Sequence, residues 1–187
     1  MNHKNVLAVD FGASSGRVML GNFDGNRISI QELHRFPNDP VILNGTMYWD
    51  FLRLFFEVKQ GLMKAKKYGK IDSIGVDTWG VDFGLIDKEG HLLENPVHYR
   101  DARTAGMLEK SFGKMDKDRF YQITGSQFME INTVFQLLAL LEKRPGLLEG
   151  TSRLLLMPDL FNYYLCGAQV SEYSIASTTQ MLDARTK

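Results

Sequence analysis

Apolar positions along this chain follow first a strand-like and then a helix-like rhythm. Residues 5–11 form a short apolar run with β-branched content that ends in Asp10-Phe11-Gly12, and residues 17–23 form another. The turn Asp24-Gly25-Asn26 leads into Arg27-Ile28-Ser29-Ile30-Gln31, where apolar and polar residues alternate. Together these segments predict an antiparallel meander of three strands. Asp50 then stands as an N-cap before Phe51, Leu54, Phe55, Val58 and Leu62, whose offsets of three, four, seven and eleven share one helical face. The helix frays out near Gly69 through Lys64, Lys66, Lys67 and Lys70, cations that suit a helix C-terminus. Residues 71–76 read as a buried strand ending at Asp77. Residues 81–86 read as a second strand, turned by Asp87-Lys88-Glu89-Gly90 into a third.

After Arg100 the pattern becomes helical. A short amphipathic piece surrounds Leu108, and residues 118–123 form another, closed by Thr124-Gly125. Asn132 or Thr133 caps a helix carrying Val134, Leu137, Leu138 and Leu141, which Pro145-Gly146 ends. Arg153-Leu154-Leu155-Leu156-Met157 reads as a buried strand. Pro158 then occupies the first turn of a helix running to Leu165, with Gly167 just past its end. Strands interleaved with helices, and no linker or solenoid repeat, predict an α/β fold with a mixed sheet and flanking helices.

Composition narrows the function classes. Acidic and basic residues balance at 22 each, so no basic surface for nucleic acid is expected. No apolar run has the length to span a bilayer, and the N-terminus opens directly into a strand, so the expected compartment is the cytoplasm and no membrane partner is expected. Cys166 is the single cysteine, which rules out an intrachain disulfide and predicts a small hydrophobe in the core. His3, His34, His91 and His98 have no metal-ligand spacing.

Two segments carry candidate chemistry. In the first, Gly12, Ala13, Ser14, Ser15 and Gly16 join two strands, and their backbone N–H groups can converge on an anion with two hydroxyls as further donors. Asp10 at the strand end suits Mg²⁺ or its water shell, and Arg17 can neutralise phosphate charge. Read alone, the same residues also make an ordinary tight hairpin. They match G-x-S-x-G as well, the nucleophile elbow of serine hydrolases, but that elbow needs a helix after the turn, and here a strand pattern comes next. Phosphate-loop and dinucleotide glycine fingerprints are absent.

In the second segment, Asp77 and Asp82 flank Thr78-Trp79-Gly80-Val81. Carboxylates for hydroxyl pairs, an aromatic face and a glycine that admits close approach are what a sugar requires. The alternative is that Trp79 is core and the aspartates are turn residues. Downstream, Tyr99-Arg100-Asp101-Ala102-Arg103-Thr104 packs three charges and a phenol into six residues, a pattern shared with surface ion pairs.

These residues together resemble the N-terminal domain of the FGGY carbohydrate kinases, which has the ribonuclease-H-like, actin-like ATPase fold. Trp49-Asp50, Leu156-Met157-Pro158-Asp159 and Ser177-Thr178-Thr179-Gln180 extend the resemblance from Asp10 to about Leu182. Thr78-Trp79-Gly80 and Tyr99-Arg100 depart from the commoner patterns of the family. They favour a member that phosphorylates the ketose L-rhamnulose at its C1 hydroxyl over members acting on xylulose or glycerol. The resemblance implies ATP and Mg²⁺ as cofactors, with Ala13, Ser14, Ser15, Gly16 and Arg17 at the ATP phosphates and Asp10 at the metal. It implies Gly80 at the sugar, with Asp77, Trp79 and Asp82, the neighbours of that glycine, and Arg100 as further substrate residues. The catalytic Asp of such kinases lies in a later Gly- or His-Asp element of the same domain, here expected beyond Lys187, and a second domain completes the adenine site. Residues 1–187 are therefore expected to be a partial N-terminal domain with negligible turnover alone. The opposing expectations are a kinase of another ketose or polyol in the same family and a non-catalytic binding module, and the sequence leaves the oligomeric state open.

Overall fold

A computed structural model describes residues 3–186. Residues up to Pro40 together with Trp49–Trp79 form one compact unit, and Val41–Tyr48 together with the residues from Gly80 onward form another. Among the described residues, no helix is long and apolar enough to cross a membrane.

In the first unit, β1 (Lys4–Phe11), β2 (Ser15–Phe23) and β3 (Ile28–Pro37) make the expected meander, with β3 running well past Gln31. Leucine, valine and phenylalanine recur at alternate positions of β1 and β2, so Leu7, Val9, Phe11, Val18 and Leu20 are all buried on one side. A bulge at Val18/Met19 shifts the pairing of β2 with β3 by one residue. The next elements along the chain are the hairpin strands β4 (Val41–Leu43) and β5 (Thr46–Tyr48), which belong to the second unit.

Helix α1 (Phe51–Ala65) starts where expected, because the Asp50 carboxylate accepts from Arg53 N–H at 3.1 Å. Phe51, Leu54 and Val58 form its buried face, worth about 1.5–3 kcal/mol per side chain in removed apolar surface. Gly61 sets how close the helix comes to the sheet, since a Cβ there would lie 2.3 Å from Val18 Cγ2. Beside it, the buried Glu57 carboxylate accepts from His34 Nε2 and from Arg53 Nε, each at 2.6 Å. Burial alone would raise the Glu57 carboxyl; those two hydrogen bonds outweigh it and hold the group below its ordinary value. The helix ends in a short 3₁₀ turn, Lys66–Tyr68, before Gly69.

Strand β6 (Ser73–Asp77) joins the sheet parallel to β1, giving the order β3-β2-β1-β6 and hence the expected mixed sheet. The prediction of a buried strand is corrected here. Ser73, Ile74, Gly75 and Asp77 are exposed, because β6 is the edge of the sheet.

In the second unit, the hairpin of β4 and β5 turns at Asn44-Gly45, both with positive φ. Asn-Gly between apolar runs is the strongest short hairpin signal in any sequence, and the predicted elements omit it. Strand β7 (Phe83–Ile86) pairs antiparallel with β8 (Arg153–Leu156) in a separate two-stranded sheet. The turn 87–90 forms, but it leads into a single bridge, Ile86 to Leu92, instead of a third strand.

The remaining helices are α2 (Met107–Phe112), α3 (Lys117–Thr124), α4 (Thr133–Lys143), α5 (Pro145–Glu149), α6 (Met157–Cys166) and α7 (Tyr173–Ala176). Pro145 opens α5 in addition to following α4, a position its fixed φ favours. Asn132 occupies the N-cap of α4 without capping it, its amide donating instead to Gln127 O and Gln180 Oε1. Gly167 closes α6 in the left-handed conformation, as expected. Cys166 is exposed, which corrects its placement in the core: the buried residues of α6 lie in its first half, ending at Phe161.

Candidate active site

The loop joining β1 to β2 is a hairpin connection that enters a strand, which removes the hydrolase elbow. Gly12 N–H donates to Ser15 O at 2.9 Å and closes the turn. Asn38, buried just after β3, clamps it from outside: its Nδ2 donates to Gly12 O at 2.8 Å and its backbone N–H to Ser14 O at 3.1 Å. Among the described residues, the N–H groups of the exposed Ala13 and Ser14 engage no acceptor. The loop thus presents donors from a backbone that other bonds hold still, the condition for an anion cradle. Asn38 escaped the sequence reading because its partners Gly12 and Ser14 lie 26 and 24 residues away.

Strand register arranges the charged residues around this loop. Asp10 pairs with Arg17 on β2 and with Asp77 on β6. Neighbouring residues in register point to one side of a sheet, so Arg17, Asp10 and Asp77 form a row on the face opposite Val9 and Val18. Arg17 Nε approaches Asp10 Oδ2 at 3.3 Å, without the alignment of a hydrogen bond, and both side chains are more than one-third exposed. Asp77 therefore stands beside the residue read as a metal ligand. Two adjacent carboxylates fit Mg²⁺, which is commonly held by one or two carboxylates together with substrate phosphates and water. No group of three or more His, Cys, Asp or Glu suited to a metal occurs among the described residues.

Trp79 follows β6 and lies against the buried Trp49, with ring centroids 3.8 Å apart and planes at 31°. Its edge contact with Phe11 spans 6.4 Å. One face of Trp79 is thus committed to the core, in line with the alternative reading of this residue.

In the second unit the segment Gly80-Val81-Asp82 is a γ-turn. Asp82 N–H donates to Gly80 O at 2.9 Å, and Val81 between them has φ +68°. A β-branched residue in that region costs roughly 1–3 kcal/mol and persists only where its surroundings enforce it. Three side chains do so. Val81 N–H donates to Thr178 Oγ1 at 3.1 Å, while Val81 O accepts from Thr133 Oγ1 at 2.6 Å and from Gln136 Nε2 at 3.3 Å. Gly80 has no side chain because Thr178 occupies that space: a Cβ would meet its Oγ1 at 2.9 Å. Among the described residues, Gly80 N–H engages no acceptor.

Asp82 is fully buried, which corrects the expectation of a carboxylate open to a sugar. Its Oδ2 accepts from Tyr99 N–H at 3.1 Å and its Oδ1 from Gln136 Nε2 at 2.9 Å. The Tyr99-to-Thr104 cluster is likewise no surface network. Asp101 is buried, accepting from Met47 N–H and Arg103 N–H, and Arg103 donates to Gln136 Oε1. Burial pulls the Arg103 guanidinium below its ordinary value, against the pull of Asp82 and Asp101. His98, also buried, has its pKa pushed down to about 4 by burial first and by Arg100 second. Its Nδ1 accordingly accepts from Arg100 N–H at 2.9 Å. Arg100 alone of this cluster's charges is exposed, its guanidinium 5.4 Å over the Tyr99 ring. The catalytic Asp expected beyond Lys187 lies outside the described residues, as does Lys187 itself.

The site residues thus comprise a donor loop between two strands, carboxylates near strand ends and a strained turn that begins at Gly80. Residues 5–187 match the FGGY family of carbohydrate kinases, N-terminal domain, and the chain belongs to that family. It is 43% identical over 182 residues to the rhamnulokinase of Oceanobacillus iheyensis, covering 97% of this chain and 39% of that protein. With the rhamnulokinase of Bacteroides thetaiotaomicron the identity is 42% over 185 residues, covering 98% and 38%. The chain thus spans about two-fifths of the length of these relatives. Among solved structures, gluconate kinase from Lactobacillus acidophilus superposes with a TM-score of 0.85 at 16% identity, covering 99% of this chain and 38% of that one. Plasmodium falciparum glycerol kinase with ADP gives 0.75 at 19%, covering 98% and 38%. The actin-like ATPase fold expected from the resemblance is the fold observed.

Proposed function

We propose that this chain contributes to an ATP-dependent sugar kinase that converts L-rhamnulose to L-rhamnulose 1-phosphate. The observation that carries this reading is the donor loop beside Asp10, because phosphoryl transfer depends on positioning and charge neutralisation more than on covalent chemistry. Ala13, Ser14, Ser15, Gly16 and Arg17 bind the ATP phosphates. Asp10, with Asp77 at its side, holds Mg²⁺ directly or through water; bound there, the ion would neutralise charge on the phosphate oxygens. Gly80 offers its N–H to a sugar oxygen, and Arg100 is the exposed cation of the same unit. Asp82 supports that unit from its core by holding the backbone of Tyr99, and Trp79 does the same for the first unit by packing on Trp49.

In the transfer itself the C1 hydroxyl oxygen bonds to the γ-phosphorus as the bond from that phosphorus to the β–γ bridging oxygen breaks. ADP departs, and the hydroxyl proton passes to a carboxylate. None of these residues takes that proton. In this reading the acceptor and the adenine site belong to parts of the relatives' length that the chain does not span.

Relatives 42–43% identical over nearly the whole chain support L-rhamnulose as the substrate. The test is an ADP-coupled assay on the natural polypeptide that carries this chain, supplied with Mg-ATP and L-rhamnulose, D-xylulose or glycerol. ADP release with L-rhamnulose is expected. Release only with another substrate would refute the sugar, and release with none would refute the kinase.

A further inference from the structure

We infer that Thr178, together with Thr133, is a positioning residue of the sugar subsite, acting through Val81 to present the Gly80 N–H. The inference rests on the sugar-kinase reading. A turn that only reverses the chain has no need of a β-branched residue at φ +68°, where glycine or asparagine sits without strain. This one is held there by bonds to both peptide groups of Val81, from residues 52 and 97 positions away in sequence. Thr178 also fills the space beside Gly80, with Oγ1, Cγ2 and Cβ all within 3.1 Å of where a Cβ would stand. Its hydroxyl is itself oriented, donating to Ile175 O at 2.8 Å while accepting from Val81 N–H. One threonine therefore fixes both the shape and the dihedral angles of the turn, and Thr133 holds its far carbonyl. The ligand class that fits an N–H so held is a hydroxyl or carbonyl oxygen of a ketose.

The experiment measures steady-state kinetics of the natural polypeptide with Mg-ATP and L-rhamnulose. Thr178→Val keeps the bulk beside Gly80 and removes the acceptor. Sugar KM is expected to rise up to about tenfold, the scale of one neutral hydrogen bond, with nucleotide KM unchanged within about twofold. Thr178→Ser restores sugar KM to within about threefold of wild type, since it keeps the hydroxyl. In a Val81→Gly background, where positive φ carries no strain, the effect of Thr178→Val is expected to shrink to about twofold. An equal effect in both backgrounds, or an unchanged sugar KM in Thr178→Val, overturns the inference while leaving the kinase reading intact. A loss of nucleotide and sugar use together, unrescued by serine, marks a general structural role and overturns it as well. A wild type that phosphorylates no sugar removes the kinase reading and this inference with it.

Discussion

Asp10 and Asp77 are register partners on parallel strands, so two carboxylates share one face near the C-terminal ends of those strands. Like charges directly opposite one another destabilise a strand pair by roughly 0.2–1 kcal/mol. Asp77→Asn is therefore expected to raise the melting temperature by up to about 4 °C, while raising the Mg²⁺ concentration needed for half-maximal activity about tenfold. Calorimetry and a Mg²⁺ titration check the two together. A variant that lost stability and kept its metal requirement would break the link between the pair and the ion.

Asp10→Asn removes the partner of Arg17 as well as a carboxylate. Its expected signature is about tenfold or more weaker use of Mg-nucleotide with sugar binding nearly intact. Separate titrations of nucleotide and L-rhamnulose read this out; equal losses in both would contradict the role given to Asp10.

Asn38→Ala deletes the amide that holds Gly12 O. A buried hydrogen bond lost in this way costs about 1–3 kcal/mol, and the loop it released would order phosphate less well. Lower thermal stability with a raised nucleotide KM is expected. Faster amide hydrogen exchange at residues 12–15 is the direct physical check.

Trp49 has 0% exposure and lies under Trp79. Trp49→Ala is expected to cost about 3–5 kcal/mol by urea denaturation, within the range for large aromatic deletions in a core. A cost below about 1 kcal/mol would mean that this packing is not what holds Trp79 in place.

His98 gives a pH prediction whose sign is determinate. Its folded-state pKa, about 4, lies below its ordinary 6.5, so the unfolded chain binds the proton first as pH falls. Stability from the neutral ring is complete above pH 6.5 and is lost as pH drops toward 4. His98→Asn keeps an acceptor for Arg100 N–H and does not titrate. The difference between the two proteins' stability profiles should develop between those two values, and parallel profiles would refute the assignment.

Local pattern carried much of the fold. The meander, Asp50 as the cap of α1, Pro158 opening α6 and Gly167 closing it were all legible, because each depends on residues within one or two turns of chain. The features that stayed hidden depend on distant partners. Asp82 beside a turn reads as solvent-exposed until Tyr99 and Gln136 are seen to enclose it, the latter 54 positions away. Gly80 reads as a gap left for a ligand, although Thr178 fills that gap. The exposure of β6 is a property of the sheet order, which an apolar run of five residues does not encode. Asn44-Gly45 is the opposite case, a local signal that is legible without any distant partner.

The thiol of Cys166 leaves an experimental handle already in place. It is the only sulfhydryl in the sequence, it is exposed, and it ends the helix whose first residue, Met157, donates its N–H to Asp82 O. Within residues 1–187 a maleimide dye or nitroxide would attach at one position, about 15 Å along the helix from its first turn, without any engineered substitution. Changes in the strained turn of residues 1–187 could then be followed spectroscopically with every residue unchanged.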